Sequence, residues 1–225
     1  MLMSDLCEQI AACVEAGKVT KDAPYPPAMK GQDGVDELVK TALDSGISPN
    51  DVLTQGLMPG MSSIGKKFSA NEVFVPNLLM AAKAMSAGMV HLKPHFESGA
   101  AQHRGTFVIG TVQGDLHDIG KNLVRMMMEG AGWEIVDLGV DVSAEKFLEA
   151  VLEHPGAVVG LSALLTTTMV NMEKTVQVVK EKAPDTLICV GGAPLTQEFC
   201  DKIGASAYSP DPQGIIEWLD ARASN

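Results

Sequence analysis

The sequence predicts an α/β protein in two parts, a helical bundle followed by a five-stranded parallel sheet covered by helices. Three observations carry this expectation. From Ser4 to about Phe96 apolar residues recur at helical spacing, and no convincing alternating strand interrupts them. Glu97 to Arg104, ESGAAQHR, is short, polar and rich in small residues, as befits a linker. Beyond it, short apolar runs alternate with helical stretches, the pattern of a sheet whose strands all point one way. The expected divisions are residues 1–97 for the bundle, 98–104 for the link and 105–225 for the sheet domain.

In the first part, Leu6, Ile10, Cys13 and Val14 share one face of a first helix, which Gly17 ends. Lys21 to Gly34, with Pro24, Pro26 and Pro27, cannot continue it. A second helix turns Val35, Leu38, Val39, Ala42 and Leu43 inward. Ser48 is placed to cap a third, with Pro49 in its first turn. Gly56, Pro59, Gly60 and Gly65 predict that this third segment bends or divides before Phe68. A fourth helix runs from about Val75 into His95, with Leu78, Leu79, Ala82, Met85 and Met89 on one side. Together these make a four-helix-type bundle.

In the second part the strand-like runs are Phe107-Val108-Ile109 within Thr106 to Thr111, Ile135 to Leu138, Val158 to Leu161, Leu187 to Val190 and Ala205 to Tyr208. Helical stretches lie near Lys121 to Gly130, Ala144 to Glu153, Thr168 to Lys182 and Thr196 to Lys202. Five strands so connected suit a flavodoxin-like, Rossmann-type winding.

Composition narrows the function. A formal charge of −11 and the lack of a Lys/Arg block argue against a nucleic-acid partner, whose phosphates demand a basic face. No apolar run approaches the ~20 residues that span a bilayer, and the start lacks a basic segment followed by an apolar one. No membrane association and a cytoplasmic location are expected. Cys7, Cys13, Cys189 and Cys200 form no C-x-x-C pair and read as buried or free thiols in a reducing compartment. Methionine is abundant at 13, with Met58, Met61, Met80, Met85 and Met89 in one stretch. Such residues fill a bundle core or adapt to a large ligand.

The most informative segment is Gly114-Asp115-Leu116-His117-Asp118-Ile119-Gly120, where the first strand gives way to a helix. Ligands of α/β sheets bind at this edge. Asp115 and His117, two apart, can project the same way and share a hydrogen bond. A carboxylate on one imidazole nitrogen leaves the other free to act as metal ligand or base. The same residues also read as a polar helix start, with Asp115 or Asp118 satisfying free N–H groups. Two further loops converge on this edge. Ser162-Ala163-Leu164-Leu165-Thr166 follows the third strand, and Gly191-Gly192-Ala193-Pro194 the fourth. Ser162 alone reads as a helix cap and the glycine pair as a turn.

Asp-x-His-x-x-Gly, the Ser162–Thr166 loop and the Gly191-Gly192 pair together make the run from Gly105 to about Asp220 resemble the cobalamin-binding domain of methionine synthase and of the corrinoid proteins of methanol, methylamine, betaine and aryl-ether methyltransferase systems. The runs Gly56 to Met61, Lys67-Phe68 and Val75 to Ala82 resemble the helical cap of those corrinoid proteins. The Lys21 to Gly34 segment departs from the family in its length and proline content, which fits a partner contact or a mobile loop.

The resemblance implies base-off cobalamin, alternating between cob(I)alamin and methylcobalamin, with His117 as lower cobalt ligand and Asp115 as its orienting partner. Gly114, Asp118, Ile119 and Gly120 complete the binding motif, Gly120 making room for the nucleotide tail. Ser162, Leu164 and Thr166 would line the tail's slot, and Gly191 and Gly192 would flank its base. Met80, Leu79 and Phe74 would shield the upper face of the corrin.

The implied role is a methyl carrier, not catalytic alone. A substrate:corrinoid methyltransferase would load it, a second methyltransferase would unload it to tetrahydrofolate or a similar acceptor, and a reductive activating protein would restore it. An O-demethylase system is slightly preferred among the donors. A barrel catalyst needs ~200 residues of its own, so neither partner activity fits here. The rivals are a cobalamin-dependent sensor, a cobalamin subunit of a radical mutase, and a flavodoxin-like domain that binds a phosphate or nothing. A hinge is expected at Glu97 to Arg104.

Overall fold

The computed structural model describes residues 3–223. It forms two compact units, one from the chain up to His103 with Gly130–Gly132, the other from Arg104–Glu129 and from Trp133 onward.

The first unit contains α1 (Met3–Ala16), α2 (Val35–Asp44), α3 (Pro49–Asp51), a π-helical turn (Val52–Leu57), α4 (Met58–Ser69) and α5 (Val75–Glu97). Leu6, Ile10, Cys13 and Val14 are buried, as are Val35, Leu38, Val39 and Ala42, while Leu43 is half-buried. Ser48 caps α3, its hydroxyl accepting the Asp51 N–H at 3.0 Å. The third segment divides before Phe68, at the π turn, and Gly56 and Gly60 serve close packing. A Cβ on Gly60 would lie 2.5 Å from the Ala11 carbonyl oxygen and 2.6 Å from Val14 Cβ, and one on Gly56 would lie 3.1 Å from Ile10 Cγ2. These glycines let α4 and the π turn approach α1 closely. On α5, Leu78, Ala82 and Met85 are buried whereas Leu79 is 43% exposed, a correction to its expected inward placement. One residue is about 100° of helical rotation, enough to carry Leu79 off the face that Leu78 occupies.

The proline-containing segment is pinned at both ends. Lys18 is fully buried and its ammonium donates to the carbonyls of Ala23 at 2.9 Å and Lys21 at 3.3 Å. Glu37 accepts the N–H groups of Lys21 and Gly34, both at 2.9 Å, and Lys21 pairs with Asp33 at 3.0 Å. The link after α5 is folded as well. The Ala101 N–H reaches the His95 carbonyl at 3.1 Å, and the Phe96 and His103 rings stack at 4.0 Å.

The second unit alternates β1 (Thr106–Thr111), α6 (Ile119–Gly130), β2 (Glu134–Asp137), α7 (Ala144–Glu153), β3 (Val158–Ser162), α8 (Met169–Lys182), β4 (Ile188–Gly191), α9 (Gln197–Ile203), β5 (Ala207–Tyr208) and α10 (Pro212–Ala223). All strand pairs are parallel, in the order β2-β1-β3-β4-β5. The core gathers Val108, Val159, Leu161, Ile188 and Val190 from the strands with Phe147, Val151, Met172, Val176 and Val179 from α7 and α8. Gly160 leaves room for Phe107, whose ring would lie 2.7 Å from a Cβ there. The final helix was missing from the sequence expectation. Its signals are local: Pro212 opens it, the Asp211 carboxylate accepts the N–H groups of Gln213 and Gly214, and Ile215, Ile216 and Leu219 are buried.

The strand order reverses direction between β1 and β3, so the loops leaving these two strands part there and open a crevice. The register sets Thr111 beside Ser162, and Ser162 beside Gly191. The three loops singled out in the sequence therefore start from one line across the sheet.

Candidate functional site

Asp115 is the anchor of the crevice. It is fully buried and accepts five hydrogen bonds through both carboxylate oxygens. Oδ1 takes the His117 N–H at 3.1 Å and lies 2.7 Å from His117 Nδ1. Oδ2 takes the Leu164 N–H at 2.8 Å, the Leu165 N–H at 3.2 Å and the Thr168 hydroxyl at 2.7 Å. Burial pushes this carboxyl's pKa up. The bonds from Leu164, Thr168 and His117 outweigh burial and hold it well below the ordinary carboxylate range. Asp115 is thus ionised and can only accept, so Nδ1 of His117 carries its hydrogen toward it.

This leaves Nε2 as the imidazole's free lone pair. The His117 side chain is 51% exposed, and among the described residues its Nε2 has no hydrogen-bond partner. Leu116, Ile119, Leu164 and Leu165 are exposed on the same loops.

The loop is tied on its other side as well. Gly114 has φ +82° and donates its N–H to the Asp141 carboxylate at 2.7 Å, so its glycine serves the turn. Asp141 donates its own N–H to the Asp115 carbonyl at 3.0 Å, and the Asn171 amide reaches the Gln113 carbonyl at 2.7 Å. Asp118 precedes α6 and accepts from the Asn122 side chain at 3.1 Å, while the Thr111 hydroxyl donates to the His117 carbonyl at 2.9 Å.

The glycines separate into two kinds. Gly192 has φ +141°, and a Cβ there would lie 1.8 Å from the Ala163 carbonyl oxygen, so the fold itself requires glycine. Around Gly120 a Cβ would meet nothing within 4 Å, and at Gly191 only the Ser209 carbonyl at 3.9 Å. The protein's own packing leaves open space at both.

Hydrogen bonds therefore bring Asp115, His117 and the Leu164 N–H together, while Ser162 and Gly191 meet through the sheet register. Thr166 is exposed at the start of a 3-10 turn, Thr166–Thr168. The hydroxyl that reaches Asp115 belongs to Thr168, which the sequence reading assigned only to a helix start. Its spacing from Ser162 carries no signal until the turn is known. Phe74, Leu79 and Met80 lie in the first unit, Phe74 and Leu79 exposed and Met80 packed against Gly17, where a Cβ would come within 2.7 Å of its own.

Two family models match the chain, both described as B12 binding domains, one over residues 105–211 and one over residues 31–93. A trimethylamine corrinoid protein of Methanosarcina barkeri is 42% identical over 190 residues, covering 83% of this chain and 88% of its own. This chain belongs to the corrinoid proteins of methyltransferase systems. A dimethylamine corrinoid protein of Methanosarcina acetivorans is 36% identical to this corrinoid protein, over 96% of both chains. Among solved structures, the methanol:cobalamin methyltransferase complex of Methanosarcina barkeri matches with TM-score 0.81 and 29% identity, over 98% of this chain and 80% of that one. A cobalamin-binding protein of Desulfitobacterium hafniense matches with TM-score 0.72 and 29% identity, over 94% and 97%.

The geometry of this corrinoid protein fits such a cofactor. Among the described residues no group of three or more His, Cys, Asp or Glu side chains is placed to hold a bare ion. A single outward imidazole nitrogen would suit a metal that its own cofactor holds. Among the described residues no helix is long and apolar enough to cross a membrane.

Proposed function

We propose that this protein carries a methyl group between two methyltransferases on base-off cobalamin, with His117 Nε2 as the lower cobalt ligand. The observation that carries the reading is the His117–Asp115 pair, a half-exposed imidazole whose inner nitrogen is held by a fully buried, ionised carboxylate. Bound cobalamin supplies a cobalt centre able to accept and release a methyl group; the protein supplies ligand, enclosure and access. Asp115 fixes the tautomer, so His117 presents a lone pair at Nε2 without having to move a proton first. Leu164 and Thr168 hold Asp115 in place through its other carboxylate oxygen. Gly120 would make room for the nucleotide tail, Ser162, Leu164 and Thr166 would line its slot, and Gly191 and Gly192 would flank its base; Ser162 lies between Thr111 and Gly191 in the sheet register. The shielding role of Phe74, Leu79 and Met80 belongs to this proposal.

The methyl donor we propose is a methylamine, since the relatives named above are trimethylamine and dimethylamine corrinoid proteins; this displaces the aryl ether preferred from sequence. The acceptor is tetrahydrofolate or a related carrier, reached through a second methyltransferase, with a reductive activating protein as third partner. The setting we propose is the cytoplasm, where the four free cysteines, all buried, stay reduced. Burial first, then the Cys200 thiol, pushes the Cys189 thiol up to about 12, so it does not react as a thiolate.

The test is anaerobic loading with hydroxocobalamin, desalting, and electron paramagnetic resonance of the Co(II) form. We expect retained corrinoid with a histidine-nitrogen splitting that His117→Ala abolishes. Absence of corrinoid from folded wild-type protein overturns the reading. Methyl transfer from mono-, di- and trimethylamine, methanol and an aryl methyl ether, each with its own methyltransferase, then tests the donor. Transfer confined to the aryl ether overturns that part.

A further inference from the structure

Asp115 holds the His117 ring and its N–H, whereas the His117 carbonyl is held from the other side by the Thr111 hydroxyl. The side of the loop facing β2 carries a second device. Lys121, in the first turn of α6, is 3% exposed, and its ammonium lies 2.7 Å from both carboxylate oxygens of Asp137 and 3.0 Å from the Asn122 side-chain oxygen. Asp137 ends β2, and Arg125, one turn further along α6, approaches it at 3.7 Å. Burial raises the Asp137 carboxyl, and the Lys121 bond, the Gly139 N–H and the two cations outweigh it, leaving the group ionised.

From Asp137 a chain of bonds leads back to the site. Oδ1 accepts the Gly139 N–H at 2.9 Å, the Gly139 carbonyl accepts the Thr111 N–H at 3.0 Å, and the Thr111 hydroxyl donates to the His117 carbonyl at 2.9 Å. Thr111 is fully buried. The β2 end also leads into Asp141, which holds Gly114 and the Asp115 carbonyl. Helix α6 and the β2–α7 loop are thereby clamped to each other on either side of the metal-ligand candidate. The clamp is made by one buried cation that touches neither His117 nor Asp115.

We propose that the Lys121–Asp137 pair is a positioning device for His117, acting through Gly139 and Thr111 to keep the loop backbone at the height from which Nε2 ligates. The proposal rests on the reading of His117 as lower ligand. Burial of the Lys121 ammonium against a part-exposed Asp137 offsets much of their attraction by desolvation, so the pair's contribution here is orientation rather than net stability. Asp115 selects the tautomer and rotation of the ring. Lys121 and Asp137 set where the ring's backbone stands.

The variants are Lys121→Met, Asp137→Asn and the apolar double variant Lys121→Met/Asp137→Leu, which removes both charges and leaves neither unpaired. In cobalamin-free protein, amide hydrogen exchange at Thr111 and Gly139 should quicken by about tenfold or more while Ile188 and Val190 of β4 keep wild-type protection. In protein loaded with cobalamin, the Co(II) form should lose most of its histidine-nitrogen splitting although corrinoid is retained, and Lys121→Arg should restore a large part of it. Wild-type exchange and splitting in the double variant overturn the inference. So does a uniform loss of protection across the sheet, or failure of all the variants to fold, since the pair is then a general support. Failure of the His117 reading itself has a separate signature: wild-type protein without the splitting, whatever the variants do.

Discussion

Replacing Asp115 by Asn tests the heart of the site without changing its volume. Five donors converge on the carboxylate, two on Oδ1 and three on Oδ2. An amide has one oxygen, so it can serve one side only. If that oxygen faces Leu164, Leu165 and Thr168, the new NH2 faces the His117 N–H and Nδ1. His117 must then accept at Nδ1 and carry its hydrogen on Nε2, the tautomer that cannot ligate. A hydrogen bond to a charged group contributes ~1.5–3 kcal/mol and a neutral one ~1 kcal/mol, and water reaches the exposed Leu164 and Leu165 loop, so we expect a loss of about 2–4 kcal/mol. The chain's two tryptophans, Trp133 and Trp218, both belong to the second unit, so urea unfolding followed by their fluorescence reads that unit alone. The pH dependence has a definite sign. Because the folded carboxyl is held below its unfolded value of about 3.9, its stabilisation is present above that pH and fades as pH falls toward the folded value. The gap between wild type and variant should therefore be widest above pH ~5 and narrow below pH ~4. A gap under ~0.5 kcal/mol at neutral pH, or one that pH leaves unchanged, refutes the reasoning, as does a retained histidine-nitrogen splitting.

Three other outcomes follow from the same geometry. Gly120→Ala and Gly191→Ala should leave the urea midpoint of cobalamin-free protein within ~0.5 kcal/mol of wild type, because a Cβ meets nothing closer than 3.9 Å, yet weaken corrinoid retention after desalting. Gly192→Ala, with a Cβ 1.8 Å from a carbonyl oxygen and φ at +141°, should cost the second unit more than ~2 kcal/mol by the same fluorescence assay; near-wild-type unfolding contradicts it. Gly60→Ala raises helix propensity by ~1 kcal/mol, but the 2.5 Å approach to the Ala11 carbonyl should turn this into net destabilisation of the helical unit, measured by circular dichroism; a raised melting temperature would show that α1 gives way easily.

Much of this protein was determined locally and is legible in its sequence. Periodicity located the helical unit and the five strands, because burying one helix face or both sheet faces imposes its own spacing. Two residues of separation placed Asp115 and His117 within 2.7 Å of each other, since a turning segment after a buried strand leaves few other arrangements. Chain connectivity likewise brought the three loops to one sheet edge. Contacts between distant residues stayed hidden. Thr168 reaches Asp115 across 53 positions, and Lys121 of α6 finds Asp137 at the end of β2; neither pairing has a spacing rule. The glycines make the same point. Gly56 and Gly60 look like helix breakers, Gly192 like a turn and Gly120 like room for a ligand, yet only the neighbouring atoms distinguish these uses. A sequence can state that a side chain is missing, but what takes its place is decided when separate elements pack.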